Sequence, residues 1–325
     1  MAGDDHGTTA LLYAPHGEPG RFWNPWQPFP GRPLDVLRWQ LGRNSYDKSK
    51  PPRVPRTAND GAYLRTTALR ASVTSVGHST FAVQDGPDVF LTDPHWSARA
   101  LLPHRIVPPG LPLGAVPAGA FAILSHNHYD HMDTWTVGHL PESTPWFVPL
   151  GLGGWFRRRG RRSVVELDWW QSVRHGRWTV TCLPAQHWSN RLGMGRNATL
   201  WCSWLLDSGE HRYYFAGDSG YFPGYGEIGR RFPGIDVALL PIGAYEPRWF
   251  MGYQHMDPRQ AYRAFLDLGA RHMIGMHWGV FDLTDEPVDL APRLLPLIVR
   301  EEGGDPDRVH TLAIGERWLL PDAAG

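Results

Sequence analysis

Within SHNHYDHMD, residues 125–133, His126, His128, Asp130 and His131 form an HxHxDH cluster directly after the apolar run AFAILS. Imidazole and carboxylate are good ligands for zinc and similar divalent ions, and four of them in six residues can serve two ions without long-range closure. A lone histidine is more often packed or surface-lying than metal-bound; this spacing on a loop leaving a strand reverses the odds. The remaining ligands should come from other strand ends. Three candidates stand there: His187 in LPAQHWSN, Asp218 in YYFAGDSGY and His277 in IGMHWGVF. Each alone reads equally well as a turn or capping residue, but in this order they complete a set of seven. His126, His128 and His187 are assigned to one ion, Asp130, His131 and His277 to the other, with Asp218 bridging through its two oxygens. Water between two such cations ionises near neutral pH, and paired ions stand ~3.5–4 Å apart, a span suited to the oxygens of a phosphodiester. Asp130 and Asp218 are thus both ligands and candidate catalytic carboxylates. The absence of sulfur donors favours two Zn2+ per chain, with iron or manganese also compatible.

Asp93 in FLTDPHW reads as a carboxylate behind the ligands that fixes the tautomer of a ligating histidine, against the plainer reading of a turn-forming aspartate before Pro94. His78 in VGHST is a weaker case of the same kind.

The elements that must position these groups are short. ASVTSV, TFAVQ and DVFLTD predict a meander with QDGPD as a hairpin turn. AFAILS, PWFVPL, WTVTCLP, TLWCSWLLD, HRYYFAGD, DVALLPI, HMIGMHWG and HTLAIG predict further strands, and MDTWTVGHL, EIGRRF, DPRQAYRAFLDLG and VDLAPRLLPLIVREEG predict helices. Strands followed by amphipathic helices, twice over, imply two mixed sheets face to face with helices outside, an αββα sandwich. Residues 1–70, rich in Pro, Gly, Arg and Asn, read as an N-terminal extension packed on a core domain of residues 71–325. Their one helical candidate is PLDVLRWQLG, with Leu34, Leu37 and Leu41 on one face.

Composition bounds the rest. The chain has 325 residues, 42% apolar and 20% charged, inside the globular range. A net charge of +0 provides no global field for nucleic acid, which argues against a nuclease. Cys182 and Cys202 lie in apolar stretches and read as buried thiols of a reducing compartment. The start lacks the basic and apolar regions of a secretory signal, and no apolar run nears the ~18 residues of a membrane span. The expected compartment is the cytosol. WFRRRGRRS places five arginines in positions 157–162. Usually such a run is solvated, but each basic residue near an anionic leaflet contributes about 1 kcal/mol. Peripheral contact with the inner face of a membrane through Trp155, Phe156, Arg157, Arg158 and Arg159 is therefore an expectation.

Taken together, these motifs resemble the metallo-β-lactamase superfamily, and within it the N-acylphosphatidylethanolamine-hydrolysing phospholipases D. The narrower similarity is carried by RFWNPWQP, DVLRW, FLTDPHWSARA, WFVPLGL, VVELDWW, AQHW, YFAGDSGY, PIGAYEPRWFMGYQHMDP and MHWG, spanning about residues 21–318. The resemblance implies a metallo-β-lactamase-type αββα fold and a zinc-dependent phosphodiesterase of lipid metabolism. Such an enzyme releases N-acylethanolamine and leaves phosphatidic acid. Its ligands carry over onto the seven residues above, and His255 in YQHMDP matches a histidine near the metals, a candidate for stabilising the substrate or the leaving group. Tyr245, Glu246, Arg248 and Trp249 are candidate substrate-pocket residues, with plain packing as the alternative. The arginine run departs from the less basic animal enzymes, and Arg and Pro usage reads as bacterial. A lactonase or other ester hydrolase using the same metals is the alternative activity; a scaffold with a structural metal is disfavoured because structural zinc sites are usually closed, four-coordinate sites. A homodimer is compatible with all of these readings.

Overall fold

The structure, a computed structural model, describes residues 9–31, 34–68 and 70–321; Pro33, at the start of the expected first helix, lies outside them. A two-stranded ribbon, β1 (Gly17–Glu18) and β2 (Arg21–Phe22), precedes a single helical segment α1 (Asp35–Leu41). The first large sheet is built from β3 (Ser72–Gly77), β4 (Thr80–Asp85), β5 (Asp88–Thr92), β6 (Phe121–Ile123), β7 (Trp146–Pro149) and β8 (Val164–Leu167), flanked by β16 (Arg317–Leu319). Its order is β16-β3-β4-β5-β6-β7-β8, antiparallel from β16 to β5 and parallel from β5 to β8. The meander closes as its sequence demands: Gly86, at φ 57°, supplies the left-handed residue of the tight turn joining β4 to β5.

The second sheet comprises β9 (Ser172–His175), β10 (Trp178–Leu183), β11 (Ser203–Asp207), β12 (Arg212–Phe215), β13 (Val237–Pro241), β14 (His272–Met276) and β15 (Val309–His310). It runs β15-β14-β13-β12-β11-β10-β9, parallel from β15 to β12 and antiparallel beyond. Alternate residues of the two sheets meet in one buried cluster: Phe81, Val83, Phe90, Ile123 and Phe147 with Val180, Cys182, Trp204, Leu206 and Phe215. The intervening residues Ala82, Leu91, Ala122, Leu124, Trp146 and Val148 face outward and are still buried. They are covered by α2 (Thr134–His139) and α3 (Gly153–Arg157). Across the second sheet, α4 (Gly224–Arg231), α6 (Pro258–Leu268) and α7 (Ala291–Glu301) do the same, with the short α5 (Arg248–Met251) before them. Strands buried on both faces read as continuous apolar runs, which is why the expected αββα sandwich was visible in the sequence.

Several elements depart from expectation. TLWCSWLLD is strand only in its second half, because the backbone N–H groups of Leu200 and Cys202 donate to the Leu150 and Ser125 carbonyls, each at 2.9 Å, outside the second sheet's ladders. HTLAIG joins the second sheet only at its start, Ile314 near its end bridging Arg56 instead, and β8, β9 and β16 add edges that were not anticipated. Helix α2 starts at Thr134, because the Asp133 carboxylate caps it by accepting from the backbone N–H groups of Trp135 and Thr136. The unforeseen α3 buries Trp155 at 5% exposure and Phe156 at 0%. That corrects the expectation that these aromatics reach a membrane: they pack against the outer face of the first sheet, with the Arg159 guanidinium 3.8 Å above the Trp155 ring. Arg157 is spent on Glu166 at 3.1 Å. The apolar stripe of α1 does the opposite and stays open, with Leu34, Leu37 and Leu41 at 71%, 50% and 79% exposure.

Among the described residues, those before Ser72 add no strand to either seven-stranded sheet. They are tied down by polar contacts. Asn24, buried, donates to the His187 carbonyl at 3.0 Å and to the Tyr253 hydroxyl at 2.6 Å. Trp26 donates to Gln186, Trp39 to Asp285, and Lys48 pairs with Asp282.

Candidate metal centre

The ligand-bearing positions all follow strand ends. His126, His128, Asp130 and His131 leave β6, His187 follows β10, Asp218 follows β12 and His277 follows β14 directly. The two sheets run these ends to one rim, and the side chains converge. Asp218 Oδ2 lies 3.1 Å from His131 Nε2, 3.2 Å from His277 Nε2, 3.8 Å from His187 Nε2 and 3.9 Å from His126 Nε2. On one side of it, the nitrogens of His126, His128 and His187 fall within 4.8 Å of one another; on the other side, so do ligand atoms of Asp130, His131, His277 and His78. All seven expected ligands therefore lie in one cluster, where His78, Asp93 and His255 also come within reach of the same atoms.

The donor chemistry fits divalent ions. His128 Nε2, His131 Nε2, His277 Nε2 and Asp218 Oδ1 are buried without an aligned hydrogen-bond partner, and buried polar atoms are ordinarily satisfied. The charges are divided among the side chains. Burial opposes ionisation of Asp130 and Asp218, yet His131 and its neighbours hold both carboxyls well below the usual range. Burial likewise opposes protonation of His277, but the Asp218 and Asp130 charges raise it to about 9. Burial pushes His128 down to about 4 and keeps His126 and His187 well below the ordinary imidazole range, so these three offer neutral nitrogens.

The groups behind the ligands are equally defined. The Asp93 carboxylate accepts from the Ser125 backbone N–H at 2.7 Å, the Ser125 hydroxyl at 2.5 Å and His131 Nδ1 at 2.6 Å. That fixes Nδ1 as the protonated nitrogen of His131 and points Nε2 at the cluster. His78 Nε2 lies 2.9 Å from Asp130 Oδ2, and its ring sits 4.1 Å from that of His277. The Gln254 carbonyl lies 3.1 Å from His187 Nδ1 and orients that ring. His255 enters beside this carbonyl, its Nδ1 buried, unpartnered and 4.0 Å from Asp218 Oδ2.

The four expected pocket residues part company. Trp249 is 51% exposed with the Arg38 guanidinium 4.6 Å over its ring, and Tyr245 is buried with an unpartnered hydroxyl. Glu246 lies in the loop, its backbone N–H held by Glu286 at 3.1 Å. Arg248 donates to the carbonyls of Tyr245 and His255 and to Gln260, so its guanidinium braces the His255 loop. Sequence reasoning missed Ser125, His95 and Arg191. His95 is fully buried beside Asp133 and Arg105; only its place two residues after Asp93 could have drawn attention to it.

Comparison with known proteins places this geometry. Residues 89–278 match the family described as the Beta-lactamase superfamily domain. An uncharacterized protein of Mycobacterium tuberculosis is 40% identical over 267 residues, 78% of this chain and 70% of that protein. The N-acyl-phosphatidylethanolamine-hydrolyzing phospholipase D 1 of Caenorhabditis elegans is 38% identical over 269 residues, 77% of this chain and 76% of that one. Among solved structures, an isothiocyanate hydrolase from Delia radicum gut bacteria superposes with a TM-score of 0.63 at 20% identity, covering 76% of this chain and 98% of that one. At that identity the likeness speaks for the fold alone. No helix among the described residues is long and apolar enough to cross a membrane.

Proposed function

Because the chain belongs to the metallo-β-lactamase superfamily and is a metal-dependent hydrolase, we propose that it cleaves a phosphodiester, as a phospholipase D-type hydrolase of N-acylphosphatidylethanolamine. His126, His128 and His187 would hold one cation and Asp130, His131 and His277 the other, with Asp218 within reach of both groups. The observation that carries this reading is the Asp218 carboxylate, set 3.1–3.9 Å from imidazole nitrogens of His131, His277, His187 and His126, with His128 Nε2, His131 Nε2, His277 Nε2 and its own Oδ1 buried and unpartnered. A pair of divalent ions bound there, zinc being the best fit, supplies Lewis acidity that activates water near neutral pH and offsets the charge of a phosphodiester.

The protein's own residues do the rest. Asp93 keeps the His131 proton on Nδ1, and the Gln254 carbonyl does the same for His187, so both rings present an Nε2 lone pair. His255 is pushed down to about 3 by burial and is therefore a neutral imidazole at pH 7; it serves as a fixed hydrogen-bonding group for the substrate or the departing alkoxide. Tyr245, buried with an unpartnered hydroxyl, is assigned to substrate as a second hydrogen-bonding group.

A lipid substrate also needs a surface. Leu34, Val36, Leu37 and Leu41 of α1, with Trp249 and Arg38 beside them, form an exposed apolar face bearing a cation, so bilayer contact is assigned to α1. The test is metal content per chain together with turnover of N-acylated phospholipids, an aryl phosphodiester and a lactone. Two equivalents with turnover of the N-acylated phospholipids are expected; lactone hydrolysis without phosphodiester cleavage would replace this reading with the lactonase one.

A further inference from the structure

Resting on the two-ion reading, we infer that Arg191 is a positioning residue that holds the first ion's ligands together by clamping the HxHxDH loop to the loop carrying His187. The side chain is 8% exposed and carries no carboxylate partner among its hydrogen bonds. Its Nη1 donates to the Asn127 carbonyl at 3.1 Å and the Met132 carbonyl at 2.9 Å, and its Nη2 donates to the Thr134 hydroxyl at 2.8 Å. The Tyr129 ring lies across the guanidinium, 4.2 Å from its carbon, and the Tyr129 hydroxyl accepts from the Leu192 N–H at 3.2 Å. One planar group thus grips both ends of the loop and its middle from a residue four positions after His187.

The two ion sites need this clamp unequally. Ligands of the second site are fixed from elsewhere: His131 by Asp93, Asp130 by His78, and His277 by its backbone N–H donating to the His78 carbonyl at 3.1 Å. In the first site His128 has no such anchor. Its Nδ1 meets only His126 Nε2 at 2.9 Å and His187 Nε2 at 3.2 Å, both fellow ligands, and its Nε2 has no partner. Its ring packs edge-on to Trp188 with centroids 4.6 Å apart, and the backbone that carries it is fixed on its N-terminal side by the Asn127 carbonyl held by Arg191. A lysine cannot replace the fork, because a single ammonium does not span several acceptors in one plane.

The test is Arg191→Met and Arg191→Lys, read by competition with a chelator for zinc and by the rise in Tm on zinc addition. Loss of a group behind a ligand lowers metal affinity about 10–100-fold. Arg191→Met is expected to keep one tight equivalent, weaken the other by at least about tenfold and shrink the zinc-induced rise in Tm, with Arg191→Lys intermediate. A purely structural role would lower the Tm of the metal-free protein while leaving both affinities and the increment intact, and that result overturns the inference. Should Arg191→Met fail to fold, Arg191→Lys decides alone: two wild-type affinities overturn the inference, one selectively weakened site supports it. A wild-type protein binding no zinc would instead sink the two-ion reading itself.

Discussion

Replacing Asp93 with asparagine changes one atom at a position with 0% exposure and tests how the cluster is organised. In the native protein both carboxylate oxygens only accept, from Ser125 N–H, Ser125 Oγ–H and His131 Nδ1–H. An amide cannot do the same. If its oxygen stays on Ser125 N–H, its NH2 faces His131 Nδ1, which must then accept; the imidazole proton moves to Nε2 and covers the lone pair that an ion needs. If the amide flips, its NH2 confronts the Ser125 N–H, and a buried donor is left unsatisfied at a cost of about 1–3 kcal/mol. Either way the effect on metal affinity is about 10–100-fold, equivalent to roughly 1.4–2.7 kcal/mol. The assay is zinc competition against a chromophoric chelator, with far-UV circular dichroism to verify folding. A folded Asp93→Asn protein that takes up two equivalents with wild-type affinity would refute the argument that this carboxylate sets the His131 tautomer.

Asp218→Asn is expected to fold, to bind less than two equivalents and to lose at least about a hundredfold in turnover, measured by metal analysis and a phosphodiester assay. Burial pushes His95 down to about 4, with Arg105 adding to the effect, so the folded protein keeps it neutral. The unfolded chain takes up that proton near pH 6.5, so the contribution is fully present above pH 6.5 and is lost as pH falls towards 4. It amounts to about 3 kcal/mol over the 2.5-unit difference; urea titrations across this range should show a shallower acid loss for His95→Gln than for wild type. On α1, Leu34→Asp with Leu41→Asp should weaken binding to phospholipid vesicles at least about tenfold, since each buried leucine contributes about 1.5–3 kcal/mol, while turnover of a water-soluble aryl phosphodiester is unchanged. Trp155→Ala should instead lower stability by about 3–5 kcal/mol in thermal unfolding, as expected of a core residue.

The proposed ligands stand out in the chain because each stands where an apolar strand runs out, and the structure brings those strand ends to one rim. His126 to His131, His187, Asp218 and His277 all satisfy that rule without reference to tertiary contacts. The strands of the sandwich were legible for the same reason, being apolar on both faces. Edge strands were not: Val164–Leu167 and Ser172–His175 alternate between half-buried and exposed, and their Glu and Arg residues dilute the signal. Trp155 and Phe156 looked like membrane anchors beside five arginines, but α3 has five residues, too few to display a periodic buried face. Arg191 gave no signal because its partners are backbone carbonyls, and a carbonyl carries no mark of residue type.

The polar ties of the leading segment join residues far apart in the chain. Asn24 and Tyr253 are 229 positions apart, Lys48 and Asp282 are 234, and Trp39 and Asp285 are 246. During synthesis those partners do not exist until most of the chain has left the ribosome, and such distant pairings form late because closing long loops costs entropy before any contact is gained. The histidine-bearing loops are complete earlier than the segment through Asp285 that Trp39 needs. Asn24 finds its partners, at His187 and Tyr253, before His277 has been made, whereas Lys48 and Trp39 wait for Asp282 and Asp285 beyond it.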